Sequence, residues 1–493
     1  MGHAAVRQNL LGLAIVSSCF AIPTTVHATP ILLAIGSLTG SSAGANADLS
    51  GLTYPLENGV PANLLGGLGS ALAYAGNGLF IATPDRGPNA LTFNPLVDNT
   101  VSYINRFQTL TMTLAPHPGP GLPYTLTPTL TGSTLLWNPT PLYYGDGSLG
   151  TDGSHTLGSG VPAANTGDAY YFTGRSDGFG PGPSSNPADA RFDPEGVRVS
   201  ADGKSVFISD EYGPFIYQFD RATGQRLRSF TLPAHLAVAH PGPTTAAESK
   251  PANSSGRVPN KGMEGLAITP DGKTLVGILQ APLLQDKNDY LRLVSLDIAT
   301  GATREYAYPL TAGSGVSEIV AINDHQFLVD ERDGKGLGDG TNARVKDVFR
   351  IDLQGATDVS GIATLKDGAG FVPVAKSEVP LFNLVNLLET VGIGPDQVPA
   401  KIEGLAFGPD LVDPHLGLLH TLFIANDNDF VPSAAYADPG APVAGPNLFY
   451  VVGLSDSDLP GFQNQRIPVP GTPWLVAAGL GFGLRYRRTS RPG

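Results

Sequence analysis

Apolar and polar residues alternate in short paired runs along most of this chain, each pair introduced by an acid and closed by more acids. Glu195-Gly196-Val197-Arg198-Val199 leads through Asp202-Gly203 into Val206-Phe207-Ile208-Ser209-Asp210-Glu211. Glu264-Gly265-Leu266-Ala267-Ile268 leads through Asp271-Gly272 into Leu275 and on to Gln280. A third copy runs from Glu318-Ile319-Val320-Ala321-Ile322 to Val329-Asp330-Glu331-Arg332. A fourth runs from Glu403-Gly404-Leu405-Ala406-Phe407 to Phe423 and then Asn426-Asp427-Asn428-Asp429. A degenerate fifth joins Ser70-Ala71-Leu72-Ala73-Tyr74 to Phe80-Ile81-Ala82-Thr83-Pro84-Asp85-Arg86.

Alternation with period two marks a strand with one buried face. Asp-Gly between two such runs marks a tight hairpin, because glycine accepts the positive φ the turn needs. A lone hairpin is barely stable in water, so the copies must pack together. Strand-built repeats of this length predict an all-β chain folded as a β-propeller. The first interval between copies is about two repeats long and holds the strand-like Ala169-Tyr170-Tyr171-Phe172-Thr173, so the count is six blades, with five or seven as alternatives. Outer strands are visible at Pro214–Asp220 and Leu227–Phe230, and at Leu291–Asp297 and Thr303–Tyr306. Segments 113–165 and 238–260, rich in Pro, Gly, Thr and Ser, read as inter-strand insertions. The body holds no long run with a helical period, and 62 Gly with 43 Pro suit many short strands.

The ends have a different composition. Residues 1–28 read as a secretion signal: Arg7, an apolar stretch from Leu10 to Ala21, and a small-residue site at Val26-His27-Ala28. Val16-Ser17-Ser18-Cys19 loosely resembles a bacterial lipobox, the competing reading. Cys19 is the chain's one cysteine, so disulfides take no part in the expected mature fold. At the other end, Pro468-Val469-Pro470-Gly471-Thr472 precedes an apolar run from Pro473 to Leu484 and then Arg485, Arg487, Arg488 and Arg491. This resembles a PEP-CTERM sorting signal of Gram-negative bacteria, with Val469 where that motif has Glu. The resemblance implies processing by an exosortase and association with the membrane or envelope. The expected organisation is a signal at 1–28, a propeller over 29–465 and a sorting segment at 466–493.

Charge narrows the partners. The whole chain has net charge −13 from 30 basic and 43 acidic residues. Five basic residues and no acids lie in 1–28 and 473–493, which leaves 25 basic against 43 acidic residues and a net of −18 in the body. Such a body repels nucleic acid and suits cation binding or a cationic partner.

In each hairpin the residue before the first strand lies beside those after the second. Glu195 should sit near Asp210 and Glu211, Glu264 near Gln280, Glu318 near Asp330 and Glu331, and Glu403 near Asp427 and Asn428. Hairpins arranged around one axis bring these acids to one mouth of the channel. Clustered carboxylates repel, so they take up protons or a cation. Oxygen ligands without His or Cys favour Ca²⁺, with Glu195, Asp210, Glu264, Glu318, Glu403 and Asp427 as the candidate ligands. For any single Glu, capping of its own blade through backbone N–H groups is an equally good reading. Arg86, Lys261, Arg332 and Lys401 accompany the acids, as rim salt bridges or as a grip on a phosphate or carboxylate. Gly174-Arg175-Ser176-Asp177-Gly178 has the spacing of a nucleophile elbow but lacks its strand-turn-helix context and reads as a turn. The nine His are scattered, without metal-ligand spacing.

The stretches Asp85-Arg86-Gly87-Pro88-Asn89, Asp193-Pro194-Glu195-Gly196, Asp210-Glu211-Tyr212-Gly213-Pro214, Met263-Glu264-Gly265, Leu279-Gln280-Ala281-Pro282, Asp330-Glu331-Arg332 and Asn426-Asp427-Asn428-Asp429-Phe430 resemble the bacterial phytase-like domain family, also described as esterase-like activity of phytase. The resemblance spans about residues 60–455. It implies a secreted propeller and hydrolysis of phosphate or other esters, without a settled catalytic set. Two functions follow. One is a Ca²⁺-dependent hydrolase of small anionic esters, with Glu211 or Glu331 as general base. The other is a non-catalytic propeller of the cell surface or matrix. Either would act outside the cell or at the outer envelope of a Gram-negative bacterium.

Overall fold

The computed structural model describes residues 30–148, 157–286, 290–311, 313–366, 370–441 and 445–465, together with Met1 and Ile467. Residues 2–28 of the expected secretion signal and the residues after Ile467 lie outside the described residues.

Five antiparallel sheets form five blades. Blade 1 comprises Ala71–Tyr74, Leu79–Thr83, Arg106–Pro116 and Tyr124–Leu135. Blade 2 comprises Pro194–Val199, Ser205–Asp210, Phe215–Asp220 and Arg226–Thr231. Blade 3 comprises Met263–Ile268, Thr274–Leu279, Tyr290–Asp297 and Thr303–Pro309. Blade 4 comprises Gly315–Ala321, Gln326–Arg332 and Lys346–Asp352, edged by Ala375–Lys376 and Phe382–Asn383. Blade 5 comprises Ile402–Phe407, Gly417–Asn426 and Asn447–Leu454, and its outermost strand is Ile31–Leu38 from the other end of the chain. The innermost strands follow one another around the axis, and that of blade 5 lies against that of blade 1, so the ring is closed.

The count is therefore five rather than six. Tyr170–Tyr171 pairs only with Trp137–Asn138, in a two-stranded ribbon between blades 1 and 2. Part of the stretch read as an insertion over 113–165 is also blade, since Tyr124–Leu135 is the outer strand of blade 1 despite Pro128 and Gly132. An edge strand tolerates both residues, because it has no further partner to bond.

The paired alternation has a cause beyond one buried face. Ser205–Asp210 is buried on both faces. Val206 and Ile208 pack toward blade 1, and Phe207 packs toward blade 3. Each of the five junctions between neighbouring blades holds its own apolar cluster. The predicted Asp-Gly turns form, with Gly203 and Gly272 both at φ +71°. The Oδ1 atoms of Asp202 and Asp271 accept the N–H of Lys204 and Lys273.

After blade 5 the chain crosses the lower end of the channel. Leu459 is fully buried in the core between blades 4 and 5, and Phe462 packs on Phe407 and His420. The Gln463 N–H donates to Ile322 O, Asn464 donates to Gly408 O and Gln465 donates to Val199 O. This strap thus ties blades 4, 5 and 2 beneath the axis.

Candidate functional site

The upper mouth is built by a register shift repeated in the inner hairpins. Pairing slips between Pro194 and Val197, between Met263 and Gly265, and between Ile402 and Gly404. The extra residue of such a bulge turns its side chain out of the ladder. Glu264 and Glu403 are those residues, and Glu195 lies within the corresponding slip. The glycine that follows serves a separate need. A Cβ on Gly196 would lie 2.6 Å from Leu266 Cβ, and one on Gly265 would lie 2.8 Å from Glu318 Cα. The Glu-Gly pair therefore aims a carboxylate at the mouth and lets neighbouring inner strands approach.

Blade 4 departs from this pattern. Its slip falls between Val316 and Glu318, so Ser317 takes the bulged place and Glu318 takes the place of the glycine. Glu318 is consequently displaced from the ring of carboxylates. Its Oε1 accepts the N–H of Leu266 and of Ile319 and pairs with Arg198 at 3.1 Å. Arg198 in turn donates to the carbonyls of Leu72, Val197 and Ile319. The pair spans the channel and floors the mouth.

The second strands place Asp85, Glu211, Gln280, Arg332 and Asp427 at equivalent exits. The N–H groups of Glu211, Gln280 and Asp427 donate to Asp193 O, Gly262 O and Lys401 O, each two residues ahead of its blade's Glu. The same one-residue offset in blade 4 puts Arg332 there and turns Glu331 outward. Glu331 is fully buried against Tyr308, Lys376 and Ser314, away from the mouth. Asp210 also lies behind the mouth, where it accepts the N–H of Asp193 and of Tyr212.

Three of the four expected cations enter the mouth, and each is engaged by acids. Lys401 bonds Asp427 and Asp429 and lies 3.8 Å from Glu403 and 4.0 Å from Asp85. Arg332 bonds Glu403 and Ser317 and lies 3.9 Å from Glu264. Arg86 lies 3.5 Å from Asp193 and bonds Asn260, and its buried Nε meets no acceptor. Lys261 is exposed on its loop and joins no ion pair among the described residues.

The acids outnumber these cations, and the imbalance shows in their protonation. Burial first, and then Glu264, Asp193, Glu211 and Glu403, hold the Glu195 carboxyl well above its ordinary range. Burial, with Glu211 and Glu403, does the same to Glu264. Burial raises Asp193 as well, against the pull of Arg86. Glu403 and Asp427 are each pushed by burial to about 7 despite Lys401. The Lys401 ammonium is opposed by burial, but its acidic neighbours raise its pKa well above the usual value. Glu195 accepts no hydrogen bond from any described residue, and Glu264 Oε2 and Glu403 Oε2 are buried without partners.

Within this mouth, Asp85, Asp193 and Glu195 each offer an oxygen within 4.8 Å of the other two, and all three are buried. Of these only Glu195 is a candidate ligand in the sequence. Asp85 is visible there as the neighbour of Arg86, and Asp193 only inside the stretch Asp193-Pro194-Glu195-Gly196. A comparison of the copies two positions before each Glu would have singled it out, since Asp193, Gly262 and Lys401 hold the same place in blades 2, 3 and 5.

The fold and this mouth define a five-bladed β-propeller with a carboxylate-lined channel entrance. The chain belongs to the Phytase-like family, described as esterase-like activity of phytase, which matches residues 63–430. A protein of Arthroderma benhamiae, described as an uncharacterized secreted protein, is 30% identical over 283 residues, 50% of this chain and 51% of its own length. The chain thus spans about half of that relative. Among solved structures, the periplasmic gluconolactonase of Pseudomonas aeruginosa is similar over 79% of this chain and 90% of its own, at 11% identity and a TM-score of 0.31. The glutaminyl cyclase of Myxococcus xanthus is similar over 87% of this chain and 100% of its own, at 10% identity and a TM-score of 0.28. Likeness at that level bears on neither activity nor substrate.

Proposed function

We propose that this protein is a secreted, Ca²⁺-dependent hydrolase of phosphate or other small anionic esters, acting at the upper mouth of the propeller. The observation that carries this reading is a crowd of mouth carboxylates beside cations that do not balance them: Glu195 accepts no hydrogen bond from any described residue, and Glu264, held at Oε1 by Gln280, leaves Oε2 buried and unpartnered. The donors are all oxygen, which fits a hard divalent cation. A bound Ca²⁺ would neutralise the ester's charged oxygens and polarise the attacking water. The chain's own groups supply the rest. Arg86 offers a free Nε to an anionic oxygen. Glu211 accepts the Gly262 N–H at Oε1, which leaves Oε2 to take the proton of the water. The Arg198–Glu318 pair spans the channel beneath these groups. Membership of the Phytase-like family supports ester hydrolysis as the chemistry.

Secretion is supported by the signal-like residues 1–28 and by the description of the Arthroderma benhamiae relative as secreted. The C-terminal segment supports exosortase-type processing and attachment to the envelope of a Gram-negative bacterium. That segment and the tight pairing of Lys401 and Arg332 with acids also favour a second reading, a surface or matrix propeller that binds without catalysis. Metal analysis of the purified protein decides between the two, followed by a panel of phosphate and carboxylic esters with Ca²⁺ and with excess EDTA. Turnover that needs Ca²⁺ supports the hydrolase. Bound Ca²⁺ with no turnover across the panel supports the binding propeller. Full turnover in EDTA removes the metal from the mechanism.

A further inference from the structure

The ion of the proposed reading has a more specific place than the channel axis. Asp85 follows the second strand of blade 1, whereas Asp193 and Glu195 open the first strand of blade 2. Their carboxylate oxygens come within 4.8 Å of one another across the seam between the two blades. That seam is also where the chain makes its longest detour between inner strands, through the ribbon of Trp137–Asn138 and Tyr170–Tyr171.

Three buried acids in a group do not by themselves make a site. Two further observations point to a ligand. Glu195 is 9% exposed and accepts no hydrogen bond or ion pair from any described residue. Glu264, outside the trio and 3% exposed, is its foremost charged neighbour and leaves Oε2 buried and unpartnered. A buried carboxylate oxygen such as Glu264 Oε2 is rarely left so, because it gives up its hydration with nothing in return. The other mouth acids are served differently. Glu403 is bonded by Arg332, and Asp427 by Lys401. Glu195, by contrast, is joined to no cation among the described residues, and Arg86 pairs with Asp193 of the trio.

We propose that a divalent cation of the Ca²⁺ type binds off the axis, held by Asp85, Asp193 and Glu195, and clasps blade 1 to blade 2. The inference rests on the Ca²⁺ reading above and adds the ligands and a structural role. Its ligands are hard oxygens, it makes no use of Glu403 or Asp427, and it lies beside Arg86, whose N–H donates to Asp193 Oδ1 at 2.8 Å.

The test is calorimetric titration of the full chain with Ca²⁺ alone, paired with thermal unfolding in EDTA and in 1 mM Ca²⁺, a probe concentration set well above the Kd of a sensor-grade site. The variants are Glu195→Gln, Asp193→Asn, Asp85→Asn and Glu403→Gln. In the wild type, Ca²⁺ should raise the melting temperature by about 2–4 °C. Glu195→Gln and Asp193→Asn should each weaken Ca²⁺ binding by about tenfold or more, whereas Glu403→Gln keeps it. In EDTA, Glu195→Gln should melt no lower than the wild type, since the amide removes repulsion and breaks no hydrogen bond. That result separates lost ligation from misfolding, and it stands even if Asp193→Asn does not fold. A wild type that does not bind Ca²⁺ overturns the Ca²⁺ reading together with this site. A wild type that binds, with Glu195→Gln binding equally well and Glu403→Gln not, leaves the reading standing and overturns the clasp.

Discussion

Arg198 of blade 2 reaches Glu318 of blade 4 across the channel, with Nη2 3.1 Å from Oε1. Through it four blades are joined, since the guanidinium also bonds Leu72 O and Ile319 O and the carboxylate accepts the Leu266 N–H. Both side chains are nearly inaccessible, at 7% and 0% exposure. Removing one partner strands the other charge in the interior. Arg198→Met should cost about 3–5 kcal/mol of unfolding free energy, and the double change Arg198→Met with Glu318→Leu should cost less than the single. Denaturant unfolding monitored by tryptophan fluorescence measures both. A single-variant cost under about 1 kcal/mol would show that the pair does not hold the blades together.

The buried acids set the pH dependence of the metal-free protein. Burial pushes Asp210 and Asp330 up to about 8 and Glu318 to about 7. The unfolded chain releases the same protons near pH 4. The folded state therefore holds more protons between about pH 4 and pH 8, and stability falls as pH rises through that window. In EDTA the melting temperature should be highest near pH 5 and lower at pH 8.5. The gain on adding Ca²⁺ should be larger at pH 8.5, because the ion competes with protons for the mouth carboxylates. A melting temperature that climbs from pH 5 to pH 8.5 in EDTA contradicts this account.

Glu211 and Glu331 are neighbours of the same kind in the sequence and differ in the fold. Glu211 faces the mouth with Oε1 on the Gly262 N–H, whereas Glu331 is enclosed by Tyr308, Lys376 and Ser314. On an ester that the protein turns over, Glu211→Gln should lower kcat by about 10²–10⁴-fold with little change in melting temperature. Glu331→Gln should lower the melting temperature and leave kcat within about threefold, because it loses a bond to Lys376 and nothing at the mouth. The reverse pattern would move the chemistry out of the channel.

The strap below the ring should matter for stability alone. Leu459 is fully buried between blades 4 and 5, so Leu459→Ala should cost about 2–5 kcal/mol. Phe462→Ala removes the contacts with Phe407 and His420 and should also destabilise the protein. Both changes lie at the end of the channel opposite the mouth, so Ca²⁺ affinity should be unchanged where the variant is folded. Calorimetry and thermal unfolding on the same samples check the two halves of this expectation.

The sequence by itself determined the hairpins, because period-two alternation and the Asp-Gly turns are local and need no partner: Gly203 and Gly272 adopt the positive φ expected of them. It also determined that Glu195, Glu264 and Glu403 meet at one mouth, since equal repeats around an axis bring equal positions together. The blade count was decided only in three dimensions, by ring closure and by whether Tyr170–Tyr171 found more than one partner strand. So was the register of blade 4, where a bulge one residue earlier put Ser317 and Arg332 at the mouth and sent Glu318 to the floor and Glu331 into the wall. A bulge is set by the pairing of two strands, and one extra residue reverses which side each side chain takes. The trio of Asp85, Asp193 and Glu195 has the same origin: it spans two blades and more than a hundred residues of chain, so only the packing of those blades brings its oxygens together.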